Sequence, residues 1–298
     1  MTITRCVHRM PVFAGHRIFL TLDREKLFAG NNTLRALSQT SRLLRSIFLP
    51  VLWERVHACF TPWNQPLDPI TRIVVEVSTD ILMRRMVGIQ KTPYILPYIR
   101  SLTVTLVECR SGNWAPMEEF VRILDLLPNL KDLTMLMPQP DMITLLSISC
   151  RHKVFPSVVR LALDNCLAPI IHCFPNLQTF TFVWRREFED VFPAIQAHCP
   201  HIHTINNFSL CPPTVKCLRD AIPNVRRLSL WDPPSSDFCL LEDMDALSEL
   251  RIYRTMPLNE PQEIVGAAER VLCTSKAVGR KKLRIYLPEE TSINVFWG

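Results

Sequence analysis

Three histidines and a cysteine lie close together in the segment HCPHIH, and these residue types bind zinc and copper in proteins. The candidate ligands are His198, Cys199, His201 and His203. Pro200 separates them, His203 falls at the predicted start of a strand, and no second cluster completes a tetrahedral set. We therefore predict no metal site.

Catalytic motifs are equally sparse. The chain has only 7 Gly among 298 residues and contains no GxGxxG, GxxxxGK[ST] or GxSxG segment, so nucleotide-binding loops and hydrolase nucleophile turns are not predicted. Glu118 and Glu119 are adjacent carboxylates, but no histidine or nucleophile is placed to act with them. The sequence predicts a protein that is not an enzyme and has no cofactor.

The distribution of charge indicates a binding partner near the amino terminus. The whole chain has 34 Lys+Arg and 28 Asp+Glu, and residues 1–60 contain nine basic and three acidic residues, which accounts for the entire net charge of +6. A basic segment suits an acidic protein, anionic lipid or nucleic acid. A second basic run, residues 276–284, is more typical of a solvated loop before a strand, so nucleic acid is not the favoured partner.

Three features bear on the cellular compartment. No run of about 18 uncharged apolar residues is present, so no membrane partner is predicted. The 11 cysteines have neither framework spacing nor a CxxC pair, and the amino terminus lacks the apolar core of a secretion signal. We expect reduced thiols and a cytoplasmic or nuclear protein.

An internal repeat sets the elements that would position functional residues. In each unit, apolar residues follow a proline at the second, fifth and seventh positions, as in PNLKDLTM from Pro128 and PNVRRLSL from Pro223. The nine units start at Asp68, Pro97, Pro128, Pro156, Pro175, Pro200, Pro223, Asp245 and Val278. The first unit and those from Pro200, Asp245 and Val278 match less well. The alternating apolar residues predict one short strand per unit.

Helical periodicity fills the gaps between these strands. Three helix faces are predicted, from Met117, Phe120, Val121, Leu124 and Leu127, from Phe188, Val191, Phe192 and Ile195, and from Val215, Leu218 and Ile222 after Pro212 and Pro213. This alternation predicts an α/β solenoid with parallel strands on a concave face and helices on a convex face. Residues 61–298 resemble the leucine-rich-repeat superfamily, with the irregular spacing of its ribonuclease-inhibitor-like members.

The amino-terminal segment has a different pattern. Residues 34–57 predict two helical stretches separated at Pro50. The run LRALSQTSRLLRSIFLPVLWERV resembles the second half of an F-box, and MPVFAGHRIFLTL resembles its first helix. Residues 1–60 are therefore identified as a small helical F-box-like domain. The order of an F-box followed by irregular repeats is similar to that of many fungal F-box proteins.

The resemblance implies a function. F-box domains dock on the acidic Skp adaptor, and through it on a cullin, in SCF-type (cullin-RING) ubiquitin ligases, while the repeats hold a protein substrate. On that basis we expect a substrate-recognition subunit whose adaptor-binding residues are Pro11, Ile18, Leu37, Leu49, Pro50, Leu52 and Trp53. The alternative is a stand-alone repeat scaffold for protein interaction, in which a degenerate F-box serves only as an amino-terminal cap.

A substrate site is predicted on the concave face. The fifth and seventh positions of each unit point inward, so the fourth, sixth and eighth positions point to the concave surface. The last units place aromatic and basic residues there, namely Phe208, Trp231, Tyr253, Tyr286, Arg227, Arg251 and Arg284. Trp, Tyr and Arg dominate protein-binding hot spots. The alternative is that these aromatic side chains only pack against one another.

Overall fold

Ten strands form one sheet in the part of the chain that the computed structural model describes, which is residues 24–57, 83–105, 115–136, 140–163, 165–183, 190–254, 261–286 and 292–297. The strands are β1 (Arg55–His57), β2 (Ser101–Thr105), β3 (Asp132–Leu136), β4 (Arg160–Leu163), β5 (Thr179–Phe182), β6 (Thr204–Phe208), β7 (Arg227–Trp231), β8 (Glu249–Tyr253), β9 (Lys281–Tyr286) and β10 (Ser292–Trp297).

The strands follow one another across the sheet in the order in which they occur along the chain. Each strand from β1 to β9 pairs in parallel with the next, and β10 pairs antiparallel with β9. Parallel neighbours require a crossover between them, so the chain coils once per strand. The predicted α/β solenoid is confirmed at this level.

The crossovers contain helices and shorter 3-10 segments. The helices are α1 (Arg24–Thr40), α2 (Arg42–Trp53), α3 (described over 83–90), α4 (Ala115–Asp125), α5 (Pro140–Cys150), α6 (Val191–His198), α7 (Pro212–Ala221) and α8 (Pro261–Thr274). The 3-10 segments are Pro93–Tyr98, Asn165–Cys173 and Ser235–Leu241. No helix among the described residues is long and apolar enough to cross a membrane.

The core lies between the sheet and the helices. The predicted inward positions are buried, as Leu228 and Leu230 in β7 and Leu250 and Ile252 in β8 illustrate. The predicted helix faces contribute to the same apolar cluster, including the described residues Met117, Phe120, Val121, Leu124, Leu127, Val191, Phe192, Ile195, Val215, Leu218 and Ile222. The helices therefore cover one face of the sheet and leave the other, which we call the open face.

Prolines and polar side chains define where each unit turns. Pro128 and Pro175 each begin a turn between a helical segment and the next strand, because proline cannot continue a helix. The asparagine that follows bonds to the preceding unit: Asn129 donates to the carbonyl of Pro97 at 2.8 Å, and Asn176 donates to that of Pro156 at 2.9 Å. These bonds fix the spacing of successive units.

Buried thiols supply a second set of contacts between units. Cys173 donates from Sγ to the carbonyl of Cys150 at 3.3 Å, and Cys199 donates to that of Phe174 at 3.4 Å. All three cysteines are buried and free. Buried cysteine acts here as a small apolar residue that satisfies a carbonyl at a helix end.

The structure corrects the predicted helix break at Pro50. Pro50 lies inside α2, and the break is at Ser41, whose side-chain oxygen accepts a hydrogen bond from the Leu44 amide at 3.1 Å. A serine N-cap starts a new helix. Pro50 is the ninth residue of α2 and removes one backbone donor, yet the helix continues to Trp53.

Two strands were not predicted from the repeat. β1 follows directly on α2, in a segment predicted to be helical, and pairs with β2 through Arg55 and Ser101. β10 follows the unit predicted to be the last. The weak units from Pro200, Asp245 and Val278 do form strands, whereas the unit from Asp68 lies outside the described residues.

Candidate functional site

The open face of β7, β8 and β9 gathers charged and aromatic side chains in three rows. Strand pairing aligns one residue from each strand in every row. The rows are Arg227, Glu249 and Lys282; Ser229, Arg251 and Arg284; and Trp231, Tyr253 and Tyr286. We call these nine residues the β7–β9 grid. Alternation along each strand places them on the open face, because their neighbours in sequence face the helices.

Glu249 lies at the centre of the charged rows and is only 5% exposed. One of its carboxylate oxygens accepts a hydrogen bond from Nε of Arg251 at 2.9 Å. Nε of Arg227 and Nε of Arg284 approach the same carboxylate at 3.4 and 3.5 Å. One buried carboxylate therefore forms a hydrogen bond with Arg251 and ion pairs with Arg227 and Arg284, so it contacts one guanidinium group from each strand of the grid.

The pKa of Glu249 is set by its burial and by these three arginines. Burial raises the pKa of its carboxyl group, but the hydrogen bond from Arg251 and the charges of Arg251, Arg284 and Arg227 outweigh burial, so the pKa lies below its ordinary value. For Arg251, burial lowers the pKa, and the bond to Glu249 more than compensates. Both groups are charged at neutral pH.

The aromatic row is a stack. The ring centroids of Trp231 and Tyr253 are 5.8 Å apart, those of Tyr253 and Tyr286 are 4.6 Å apart, and both ring pairs are inclined by 15°. All three side chains are half-buried. Burial, together with the neighbouring Tyr286, raises the pKa of Tyr253 to about 12, so the hydroxyl stays protonated and available as a donor. These three residues lie on the face of the sheet opposite the helices, where the repeat pattern predicts them.

Phe208 was predicted to extend this stack, and that placement is wrong. Its ring is buried, with its centroid 6.3 Å from both Phe182 and Phe192. The register between β6 and β7 shifts between Ile205 and Phe208, so that Phe208 pairs with Leu230, a residue that faces the helices.

The cause of the shift is the residue before Phe208. Asn207 has φ of 58°, in the left-handed region that asparagine tolerates better than most residues. The extra residue forms a bulge and moves Phe208 to the inward position. The sequence carried a signal for this, since an asparagine stands where the repeat requires an apolar residue and a phenylalanine follows it.

Sequence reasoning placed Arg227, Arg251 and Arg284 on this face, as observed, but it missed the role of Glu249. The repeat pattern puts Glu249 beside Arg227 and Lys282. It does not reveal that the carboxylate is buried or that arginines from two neighbouring strands turn toward it. An acidic residue flanked on adjacent strands by basic residues at matching positions is the signal that could have identified the cluster.

The predicted adaptor-binding residues have mixed surroundings. Leu37 on α1 and Leu49, Pro50 and Leu52 on α2 are half-buried, and Trp53 packs against the solenoid core. Pro11 and Ile18 lie outside the described residues. The most exposed apolar side chains of α2 form a stripe that the sequence analysis did not single out, consisting of Leu43, Ile47 and Val51.

The remaining sequence candidates are engaged in the fold. Cys199 is buried with its thiol bonded to a carbonyl, and no group of three or more His, Cys, Asp or Glu among the described residues is placed to hold a metal. In the basic run 276–284, Lys281 donates to the carbonyl of Ser275 at 2.7 Å, Lys276 pairs with Asp245 at 2.8 Å, and Arg284 belongs to the grid.

Comparison with known proteins adds little to this picture. No family model matches the chain, and no curated protein matches its sequence. Among solved structures, a Bacteroides fragilis protein determined by a structural genomics consortium matches with a TM-score of 0.41 and 11% identity, over 66% of this chain and 70% of that one. We base no functional argument on a likeness at this level.

Proposed function

We propose that this protein is the substrate-recognition subunit of an SCF-type ubiquitin ligase. In this proposal the amino-terminal helices bind a Skp adaptor, which links the protein to a cullin, and the open face of the solenoid binds a protein substrate. The protein itself performs no chemistry. It holds the substrate near the ubiquitin-carrying enzyme and so raises the effective concentration of the target lysine.

The observation that carries this proposal is the exposed apolar stripe on α2. Leu43, Ile47 and Val51 recur every four residues, share one helix face, and are 70%, 52% and 55% exposed. Side chains of this kind are usually covered, and a contiguous exposed set is typical of a surface that another protein contacts. The stripe lies within the segment that resembles an F-box.

The charge around the stripe supports an acidic partner. Arg35 on α1, Arg42 and Arg45 on α2 and Arg55 at the start of β1 are all exposed. Complementary charge of this kind speeds association and favours one partner over others. The Skp adaptor of the resembled family is acidic.

The substrate end of the proposal is supported by the β7–β9 grid. It combines arginine, tryptophan and tyrosine on one face, and these are the residue types most often found at binding hot spots. The Trp231–Tyr253–Tyr286 stack and the arginines bound to Glu249 are held by neighbouring side chains. A preorganised surface loses little side-chain entropy when it binds.

A second candidate is a stand-alone scaffold, and one observation favours it. Trp53 at the end of α2 packs against the solenoid core, and β1, directly after it, pairs with β2. These contacts are what a terminal cap requires, since it must cover the end of the apolar core. A cap alone, however, gives no reason for the stripe to be apolar.

Co-expression with a Skp adaptor and size-exclusion chromatography test the proposal. We expect the wild type to form a stable complex and the Leu43→Ser, Ile47→Ser variant to remain folded and monomeric. Ile148→Ser provides the matched control, because Ile148 on α5 is 65% exposed and belongs to no proposed surface. Retention of the complex by the double variant, or failure of the folded wild type to form one, would favour the scaffold.

A further inference from the structure

The β7–β9 grid carries an excess of positive charge. Four of its side chains are cationic, namely Arg227, Arg251, Arg284 and Lys282, and Glu249 is the only carboxylate among the nine. Glu249 can balance one of the four charges. At the matching positions of the described strands β2 to β6, the side chains are mostly hydroxyl-bearing, as in Thr134 and Thr181, and Arg160 is balanced by Asp132. Arg55 on β1 is also basic, but β1 lies six strands away from β7. The grid is therefore a separate cluster of positive charge on this face.

The arginines are oriented so that donors remain for a ligand. Arg227 and Arg284 both approach Glu249 with Nε. Among the described residues, the structure gives their terminal Nη groups no hydrogen-bonding partner in the protein. A guanidinium group has five N–H donors in a planar fork, and the two Nη groups can bind a carboxylate or phosphate in bidentate fashion. Glu249 thus anchors the arginines by one side and leaves the other side for an anion.

The aromatic stack lies beside this anion-binding row. Arg251 and Tyr253 on β8 are two positions apart, as are Arg284 and Tyr286 on β9, which corresponds to about 7 Å along the strand. In an extended peptide, side chains two residues apart have the same spacing and point to the same side. One short extended peptide could therefore place an acidic side chain on the arginines and, two residues along, an apolar or planar side chain on the aromatic stack.

The small width of the basic patch favours a peptide over a nucleic acid as the ligand. Three neighbouring strands span only about 10 Å, whereas single-stranded nucleic acid is bound along a basic groove several nucleotides long. With Glu249 ionised, the grid carries a net charge of +3, from four cations and one carboxylate, which one or two acidic groups can balance. Among the described residues, the hydroxyl-rich strands β2 to β6 beside the grid do not continue its positive charge.

We infer that the β7–β9 grid binds an acidic peptide segment of the protein partner, with a carboxylate or phosphate group on Arg227, Arg251 and Arg284 and a neighbouring apolar or aromatic side chain on the Trp231–Tyr253–Tyr286 stack. This inference rests on the proposed function, because it specifies the class of substrate that the open face accepts.

Fluorescence anisotropy with short labelled peptides tests the inference. The peptides are identical except for one central residue, which is Glu, phosphoserine or Gln, and each carries Leu two positions later. We expect the Glu or phosphoserine peptide to bind at least about tenfold more tightly than the Gln peptide, with an affinity that falls as salt is raised. Comparison of the two anionic peptides identifies carboxylate or phosphate as the preferred group.

Variants connect binding to the grid. Arg251→Gln, Arg284→Gln should abolish the preference for anionic peptides. Because this change removes two partners of a buried carboxylate, Arg227→Gln, Lys282→Gln serves as a second variant. It loses only the contact of Arg227, which is 53% exposed, and should reduce the preference without unfolding. Arg160→Gln on β4 is the matched control, since Arg160 is also on the open face and also pairs with a carboxylate.

The outcomes separate this inference from the proposed function. Equal binding of all three peptides, no binding of either anionic peptide, or unchanged binding by both grid variants would overturn the inference even if the Skp complex forms. Tighter binding of a short oligouridine than of any peptide would also overturn it. Selective binding of an anionic peptide by a protein that forms no Skp complex would leave the inference standing and refute only the ligase assignment.

Discussion

The side-chain amide of Asn207 in β6 donates a hydrogen bond to the backbone carbonyl of Phe182 in β5, at 2.5 Å. The Asn207 amide N–H in turn reaches the hydroxyl of Ser229 in β7 at 3.4 Å. With its positive φ, Asn207 is thus held by both neighbouring strands. This residue decides whether the following phenylalanine lies in the core or on the open face.

The bulge at Asn207 predicts that a substitution restoring the apolar repeat pattern will destabilise the protein. Asn207→Leu restores the apolar pattern of the unit, yet we expect it to lower the free energy of unfolding by about 2 kcal/mol, because leucine is strained at positive φ and cannot bond to Phe182. Chemical denaturation measures the loss. Asn207→Gly, which accepts the same φ and loses only the side-chain bond, should cost about 1 kcal/mol. A leucine variant as stable as the wild type would show that the bulge is not required.

Phe208 and Trp231 should respond differently to truncation. Phe208→Ala removes a fully buried ring and should lower the free energy of unfolding by about 3–5 kcal/mol. Trp231→Ala acts on a half-buried side chain and should cost less stability while weakening partner binding. Urea denaturation gives both stabilities, and anisotropy with the anionic peptides gives the binding. If Phe208→Ala were the milder of the two changes, the assignment of Phe208 to the core would be wrong.

The arginine cluster predicts a pH-dependent contribution to stability. The pKa of Glu249 in the folded protein lies below its ordinary value of 4.5, so ionisation of this carboxyl group favours the folded state. Its contribution is complete above the unfolded pKa and is lost as the pH falls through the folded pKa. Glu249→Gln should therefore lower the melting temperature at neutral pH, and its difference from the wild type should shrink below about pH 4.5.

Sulfate provides an independent check on the same variant. Without Glu249 the four cations of the grid lack their balancing carboxylate. Sulfate should therefore stabilise Glu249→Gln more than it stabilises the wild type, when each is compared with chloride at the same ionic strength. Thermal unfolding in matched sulfate and chloride buffers measures the difference. An equal effect of sulfate on both proteins would argue against binding of an external anion by the arginines of the grid.

The cysteines should differ in reactivity in the native protein. Cys150, Cys173 and Cys199 are buried, and burial raises the pKa of Cys199 to about 12, so little thiolate is present at neutral pH. Cys239 and Cys273 are exposed. Brief alkylation followed by mass spectrometry should modify the exposed pair well before the buried three, and the order should disappear in denaturant. Early modification of Cys199 would contradict its placement between two units.

The strands of the regular units could be predicted because each one is specified locally. Leu133 and Met135, or Leu228 and Leu230, alternate after a proline that ends the preceding helix, and burial follows from that alternation. The same reasoning placed Trp231, Tyr253 and Tyr286 in register on one face. These predictions depend only on the spacing of residues along the chain, which can be read from the sequence.

What could not be predicted depends on contacts between units. The displacement of Phe208 results from the conformation of Asn207 and its bond to another strand. The burial of Glu249 results from arginines more than twenty residues away in either direction, and the antiparallel pairing of β10 results from its docking on β9. The helix break was predicted at Pro50 because proline usually ends a helix. The break lies instead at Ser41, whose side chain caps the start of α2. None of these interactions leaves a periodic pattern.

The strands lie in the sheet in the same order as in the chain, and this affects how the molecule folds. Because each strand pairs only with its neighbours in sequence, a stable pair of adjacent units can serve as a template for the next one, and no distant closure is needed. In the part of the chain that the structure describes, the densest aromatic packing, among Phe180, Phe182, Phe192 and Phe208, joins β5 and β6. Folding should therefore start near the middle of the solenoid and spread toward both ends, and native-state hydrogen exchange should be slowest in β5 and β6 and faster in β1.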